Sequence, residues 1–131
     1  MAIIRKEIEL VGSKSRKKEV ALFDSGASYS CIDKELAEEL GGIVSLLEPF
    51  ELYTAEKGRK MEVKNRIPLT FYIDGYRFSD EFMVLENLSE KVIIGASTLQ
   101  KWRLKLDFEK EDIIIDPRVT EIQLIILTKI L

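Results

Sequence analysis

The chain has 131 residues, of which 46% are apolar and 33% are charged, and its formal net charge is −3. These values predict one globular domain over residues 1–131 with a modest core, and they exclude a disordered chain. They also exclude a global positive field, so we expect neither nucleic acid nor a membrane as a partner.

The sequence contains one cysteine, Cys31, and no histidine. Ser-His-Asp and Cys-His catalysis are therefore excluded, and Cys31 alone is not a zinc site. A lone cysteine also forms no intrachain disulfide, which fits a reducing compartment. The sequence shows neither the apolar core of a secretion signal nor an apolar run as long as a membrane span, so we expect a cytoplasmic protein.

The pattern of residues 4–23 predicts a β-hairpin. Apolar and charged residues alternate over residues 4–10, the pattern of a half-buried strand. A turn-like stretch follows over residues 12–18. A second strand over residues 19–23 then leads into Asp24.

A short strand and a helix follow the hairpin. Cys31 and Ile32 resume an extended chain. Asp33 is placed to cap a helix over residues 34–40, and Gly41 is placed to end it.

The middle of the chain predicts two more hairpins. Extended segments at residues 50–53 and 61–63 flank a tip that contains Gly58. Strands over residues 67–73 and 78–85 flank Asp-Gly at residues 74–75, a strong hairpin signal.

The last third predicts a buried strand over residues 92–94, followed by a short helix that Ser97 caps and that ends at Trp102. Alternation over residues 104–108 and an apolar run over 113–115 predict two further strands. Many short strands with one or two short helices indicate a mainly β chain, folded as a barrel or a sandwich.

The most informative segment reads Ala-Leu-Phe-Asp-Ser-Gly-Ala-Ser over residues 21–28 and occurs once. An apolar strand ends at Asp24, and small residues follow, so one carboxylate is presented at a tight turn. Ordinary turn chemistry is the alternative explanation, because Asp-Ser-Gly is common in loops.

Together with Val-Ile-Ile-Gly at residues 92–95, this segment resembles the retropepsin-like aspartic proteases, the single-lobe family that includes the retroviral enzymes. The resemblance covers roughly residues 19–108. It implies a closed or partly open β-barrel of the retropepsin-like type. Residues 119–131 would then be a C-terminal extension, either strand or helix, of unassigned role.

The resemblance also implies roles for individual residues. Asp24 matches the catalytic aspartate. The positions that match supports of the active-site loop are Ser25, Gly26, Ile94 and Gly95.

Ala27 and Ser28 match positions that line the substrate groove. The positions that match the flap over bound peptide are Ala55, Glu56, Lys57 and Gly58. Two features depart from the retroviral pattern: this flap is charged with a single glycine, and Ser28 and Ala96 stand where an acid–base pair is usual.

Aspartic proteolysis needs two carboxylates, and one Asp-Ser-Gly per chain therefore requires a homodimer. The resemblance implies a homodimeric aspartic endopeptidase that cleaves extended peptide or unfolded protein without a metal or organic cofactor. A dimeric peptide-binding module with little or no turnover is the alternative on the same fold. A hydrolase that uses Ser25 or Ser28 with a lysine is a weaker alternative, because no Ser-x-x-Lys begins at either serine.

Overall fold

The computed structural model describes residues 3–54 and 59–119. In this part of the chain there are nine strands, two helices and a helical turn at residues 117–119. The elements are β1 (Ile3–Val11), β2 (Arg16–Asp24), β3 (Cys31–Asp33), α1 (Lys34–Leu40), β4 (Val44–Thr54), β5 (Arg59–Ile73), β6 (Tyr76–Leu85), β7 (Val92–Ile94), α2 (Ala96–Lys101), β8 (Lys105–Asp107) and β9 (Asp112–Ile114).

Six of these strands close into a barrel. They are hydrogen-bonded in the order β1-β2-β7-β3-β6-β5, and β5 pairs back onto β1. The fourth strand, β4, lies outside this ring and pairs with β5, while β8 and β9 form a separate two-stranded sheet. The prediction of a mainly β barrel is confirmed, and the helical turn at 117–119 adds a third short helical segment to the one or two predicted.

The two hairpins with clear local signals form as predicted. The β1–β2 pair is antiparallel and places Ile4 opposite Phe23, both in the core. Between β5 and β6, Asp74 and Gly75 have φ angles of 50° and 84°. A type I′ turn needs positive φ at both central residues, which explains why Asp-Gly occupies it.

Helix α1 also follows its sequence signals. The carboxylate of Asp33 accepts a hydrogen bond from the Glu35 amide at 3.3 Å, and the Gly41 amide donates to the Ala37 carbonyl at 2.9 Å. The helix buries Leu36, Ala37 and Leu40 against the barrel core.

The predicted cap of the second helix is wrong. Helix α2 begins at Ala96 after Gly95, and Ser97 lies inside it. The amides of Ala96 and Ser97 donate instead to the carbonyls of Ala27 and Ser28, at 2.6 and 3.1 Å. A neighbouring loop therefore satisfies the donors that a side-chain cap would have satisfied.

The predicted strand over residues 104–108 is shorter than expected. Strand β8 covers Lys105–Asp107, and Phe108 lies in the following turn with 53% of its surface exposed. Among the described residues, no helix is long and apolar enough to cross a membrane.

Aromatic side chains fill the barrel. Phe71 packs against Phe78 and Phe82 at ring distances of 5.5 and 5.8 Å, and Trp102 packs edge-on against Phe78 at 5.3 Å. Trp102 is buried in the core, and its indole N–H donates to the Ser79 carbonyl.

A second apolar cluster lies apart from this core, where the β4–β5 hairpin meets β3, β6 and β7. Its buried members are Cys31, Val63, Met83 and Leu85. Partly buried side chains around them include Phe50, Leu52, Met61 and Ile93.

Candidate active site

Asp24 is the last residue of β2, where the chain leaves the barrel. Strand β2 runs parallel to β7, with Phe23 paired to Ile94, so Asp24 comes out of the barrel beside Gly95. Phe23 and Ile94 are fully buried, whereas Asp24 is half-buried. The carboxylate is thus fixed to the barrel by its backbone and remains accessible to solvent.

The turn after β2 is closed by the aspartate itself. The Gly26 amide donates to Oδ1 of Asp24 at 2.8 Å, and the Ala27 amide donates to the Asp24 carbonyl at 3.2 Å. Ser25 and Gly26 are exposed at the tip. An ordinary turn aspartate makes similar bonds, so the position of Asp24 between β2 and β7 is the more informative feature.

Gly95 permits the loop after Asp24 to lie directly against β7. A Cβ atom at this position would come within 2.5 Å of the Tyr29 carbonyl oxygen and 2.8 Å of the Ala27 carbonyl oxygen. Both contacts are with backbone, which cannot swing away. Gly95 therefore lies against the loop, and these contacts give the steric reason for glycine. The role of Ile94 and Gly95 as supports of an active-site loop stays a prediction.

The loop is attached to α2 without any charge. The amides of Ala96 and Ser97 donate to the carbonyls of Ala27 and Ser28, so the two segments that carry Ser28 and Ala96 are joined by backbone hydrogen bonds. Backbone groups thus provide part of the support that side chains 28 and 96 lack.

A buried chain of hydroxyl groups continues this support. Ser30 Oγ accepts a hydrogen bond from the Gly95 amide at 3.0 Å and lies 2.5 Å from Thr98 Oγ1. Thr98 in turn donates to Oδ2 of Asp80 at 2.7 Å, and the Lys101 ammonium lies 3.6 Å from Oδ1 of Asp80. No spacing in the sequence marks these residues as a group, because they come from a loop, a helix and a strand that are far apart in sequence.

The second apolar cluster lies next to this loop and has a partly open edge. Tyr29, 44% exposed, follows the two predicted groove residues, and its ring lies 5.9 Å from that of Phe50 on β4. Ala27 is half-buried and Ser28 is exposed. Their role in a groove stays a prediction, and the predicted flap, residues 55–58, lies outside the described residues.

A family model described as retroviral aspartyl protease matches residues 10–121. The chain belongs to this family. The retroviral protease-like domain of Ddi1 from Leishmania major has the same fold, with a TM-score of 0.65 and 22% identity over 88% of this chain and 90% of that one. EIAV protease, in complex with the inhibitor HBY-793, has a TM-score of 0.57 and 17% identity over 81% of this chain and 93% of that one. No curated protein matches the sequence.

Within this aspartyl protease fold, Cys31 is not a nucleophile. The thiol is buried, and this burial raises its pKa to about 12. Its hydrogen bond partner is the Tyr29 carbonyl, at 3.6 Å. The group therefore stays protonated near neutral pH and packs as a small apolar side chain.

An open groove of about 700 Å³ lies between α2 and the β8–β9 hairpin, and Ser25 forms part of its lining. Its lining includes Leu99, Leu106, Phe108 and Ile114. Phe108 and Ile114 are 53% and 49% exposed, so this groove offers apolar surface beside Ser25 at the tip of the Asp24 turn.

Proposed function

We propose that the chain is a homodimeric aspartic endopeptidase in which Asp24 of each subunit takes part in activating one water molecule. The observation that carries the proposal is the position of Asp24: it ends β2 beside Gly95, in a barrel of the retroviral aspartyl protease family. The sequence has a single Asp-Ser-Gly, so the second carboxylate comes from a second copy of the chain.

The proposed chemistry follows from two carboxyl groups that meet at a twofold axis. Like charges at hydrogen-bond distance are not both ionised, so the pair shares one proton and titrates as a unit. The ionised carboxylate removes a proton from water, and the resulting hydroxide oxygen attacks the peptide carbonyl carbon. The protonated carboxyl donates its proton to the carbonyl oxygen. When this intermediate collapses, the carboxyl group that took the proton from water donates it to the leaving nitrogen, and a hydroxyl proton of the intermediate passes to the other carboxylate. The pair again shares one proton, and no metal or organic cofactor is required.

The second apolar cluster supports a substrate preference for apolar side chains. Where the active-site loop meets the β4–β5 hairpin, Phe50 and Ile93 are only partly buried and the neighbouring Tyr29 is exposed. An extended peptide that lies along this hairpin would form backbone hydrogen bonds in the manner of an added strand. Its side chains beside the scissile bond would then contact apolar surface.

We place the subunit interface at the groove beside Ser25. A twofold axis that brings two Asp24 turns together also brings Ser25 of each subunit close to the partner. The exposed side chains of Phe108 and Ile114 lie on the same side of the molecule and would be removed from water there.

The function is tested by cleavage of unfolded casein across mildly acidic pH, with and without the aspartic protease inhibitor pepstatin. We expect pepstatin-sensitive cleavage by the wild-type protein and a loss of at least about a thousandfold in Asp24→Asn. Asp74→Asn is the matched control, because Asp74 lies in the β5–β6 turn and asparagine tolerates its positive φ. Full activity in Asp24→Asn would overturn the proposal.

The peptide-binding module is the second candidate. It is favoured by the lack of the acid–base pair at Ser28 and Ala96. It predicts that the wild-type protein and Asp24→Asn bind an extended apolar peptide with equal affinity and that neither cleaves it.

A further inference from the structure

We propose that the buried chain Ser30–Thr98–Asp80 is the device that positions the Asp24 loop in this protein. The inference rests on the proposed function and adds positioning residues to it. It concerns groups that do not touch substrate but hold the backbone from which the catalytic carboxylate projects.

The hydrogen bonds of this chain have one possible direction. Each hydroxyl has a single proton, and the Asp80 carboxylate accepts the proton of Thr98. Thr98 Oγ1 must therefore accept from Ser30, whose own proton is then used. The Ser30 oxygen is left as an acceptor for the Gly95 amide. Every donor points towards Asp80, and the bond at the carboxylate end is charge-assisted.

The hydrogen-bond chain Ser30–Thr98–Asp80 is shielded from water along its length. Ser30 and Thr98 are 1% and 0% exposed, and the Asp80 side chain is 16% exposed. In a buried setting a hydroxyl without its partner is costly, so the three groups hold one another in a single arrangement. Asp80 Oδ2 accepts from Thr98, while Oδ1 accepts from the Glu81 amide at 2.9 Å and lies 3.6 Å from the Lys101 ammonium, which pairs with the charge at this end.

This hydrogen-bond chain acts on Asp24 through Gly95. Its amide is held by Ser30, while its Cα lies against the carbonyls of Ala27 and Tyr29. The residue before it, Ile94, is paired with Phe23, which precedes Asp24. A displacement at Gly95 is therefore passed to both sides of the catalytic turn, and misplacement by about 1 Å can cost about a hundredfold in rate.

The decisive substitution is Thr98→Val, which keeps the shape and removes the hydroxyl. Thr98→Ser restores the hydroxyl, and Thr70→Val is the matched control, because Thr70 is a half-buried threonine on β5 outside this chain. Three quantities are measured: kcat, referred to the active sites titrated with pepstatin, KM, and the exchange rate of the Gly95 amide hydrogen by NMR.

We expect Thr98→Val to lower kcat about tenfold or more, to leave KM within about twofold, and to speed exchange at Gly95 about tenfold. Thr98→Ser should restore most of kcat and most of the slow exchange at Gly95. Thr70→Val should match the wild type in both. A purely structural role would lower the number of titrated sites without lowering kcat per site. That result, or unchanged exchange at Gly95, would overturn the inference.

Asp80→Asn provides an independent second variant if Thr98→Val does not fold. It keeps an acceptor oxygen but removes the charge, so we expect about threefold faster exchange at Gly95. Wild-type exchange in this variant would contradict the proposed role of Asp80. If the wild-type protein cleaves nothing, the proposed function fails, and amide exchange still decides whether the chain holds the loop.

Discussion

Gly95 sets a tight steric condition on the loop that follows Asp24. Its Cα faces backbone oxygens of residues 27 and 29, and no side chain can be placed between them without moving the loop. The small hydrophobic-hydrophobic-glycine motif therefore has a physical meaning that the sequence alone does not give. The glycine is required by close approach and not by a positive φ, since its φ is −97°.

We expect Gly95→Ala to lower the free energy of unfolding by about 2 kcal/mol, because the added methyl group overlaps the Tyr29 carbonyl. It should also reduce cleavage per titrated site. Urea denaturation measures the first effect. Gly75→Ala is the control: its φ of +84° costs about 1 kcal/mol, but nothing lies within 4 Å, so cleavage should not change. Equal and small losses in both variants would contradict the steric account.

Cys31 provides a second test at the scale of single residues. Its thiol pKa of about 12 and its 6% exposure predict that iodoacetamide at pH 8 modifies the native protein at least about a hundredfold more slowly than the unfolded protein. Mass spectrometry of alkylated Cys31 measures both rates. Rapid alkylation of the folded protein with loss of activity would give the thiol a functional role.

At the scale of elements, the sequence predicts what local signals control. Asp33 and Gly41 mark the ends of α1, and Asp74-Gly75 marks the β5–β6 turn, because each depends on neighbours within a few residues. The Asp24 turn was found in the same way. In each case the backbone geometry needed a particular residue type at a particular position.

Contacts between distant segments could not be predicted from one sequence. Ser97 looks like a helix cap, but the carbonyls of Ala27 and Ser28 already accept from the start of α2. Thr98 looks like a surface helix residue and is completely buried. The positioning chain joins residues from three elements, and no spacing in the sequence records that they meet.

Ion pairs of Lys6 connect β1 to two other elements and give stability a defined dependence on pH. Its ammonium lies 2.7 Å from Asp112 on β9 and 3.2 Å from Asp74. The hydrogen bond to Asp112 raises the pKa of Lys6, and the same bond lowers the pKa of Asp112. Solvent screens the pair, so its contribution stays below about 1 kcal/mol.

We therefore expect Lys6→Met to be less stable than the wild type at pH 7. The pair contributes while Asp112 is ionised, so the difference should vanish as the pH falls through the lowered pKa of Asp112. It should also shrink in alkaline solution, as the pH rises through the raised pKa of Lys6. Urea unfolding at several pH values measures this. A difference that is constant from pH 2 to pH 11 would assign the effect to packing.

At the scale of the whole molecule, the proposed catalysis depends on formation of a dimer. The exposed Phe108 beside the Ser25 groove is proposed to lie in the subunit interface. We expect Phe108→Glu to weaken the dimer at least about tenfold, because a buried charge replaces an aromatic contact. Sedimentation velocity measures the dissociation constant. Leu47→Glu, at a 99% exposed site on β4, should leave it unchanged, and equal effects would place the interface elsewhere.

The central claim is that Asp24 from two chains forms one catalytic unit, and subunit mixing tests it most directly. A constant amount of wild-type protein is equilibrated with increasing amounts of Asp24→Asn, and casein cleavage is measured. Shared catalysis predicts that activity falls towards zero as wild-type subunits enter mixed dimers, while addition of Asp74→Asn causes no fall. Cleavage that stays constant at a large excess of Asp24→Asn, with mixed dimers demonstrated, would show that each subunit acts alone and would contradict the claim.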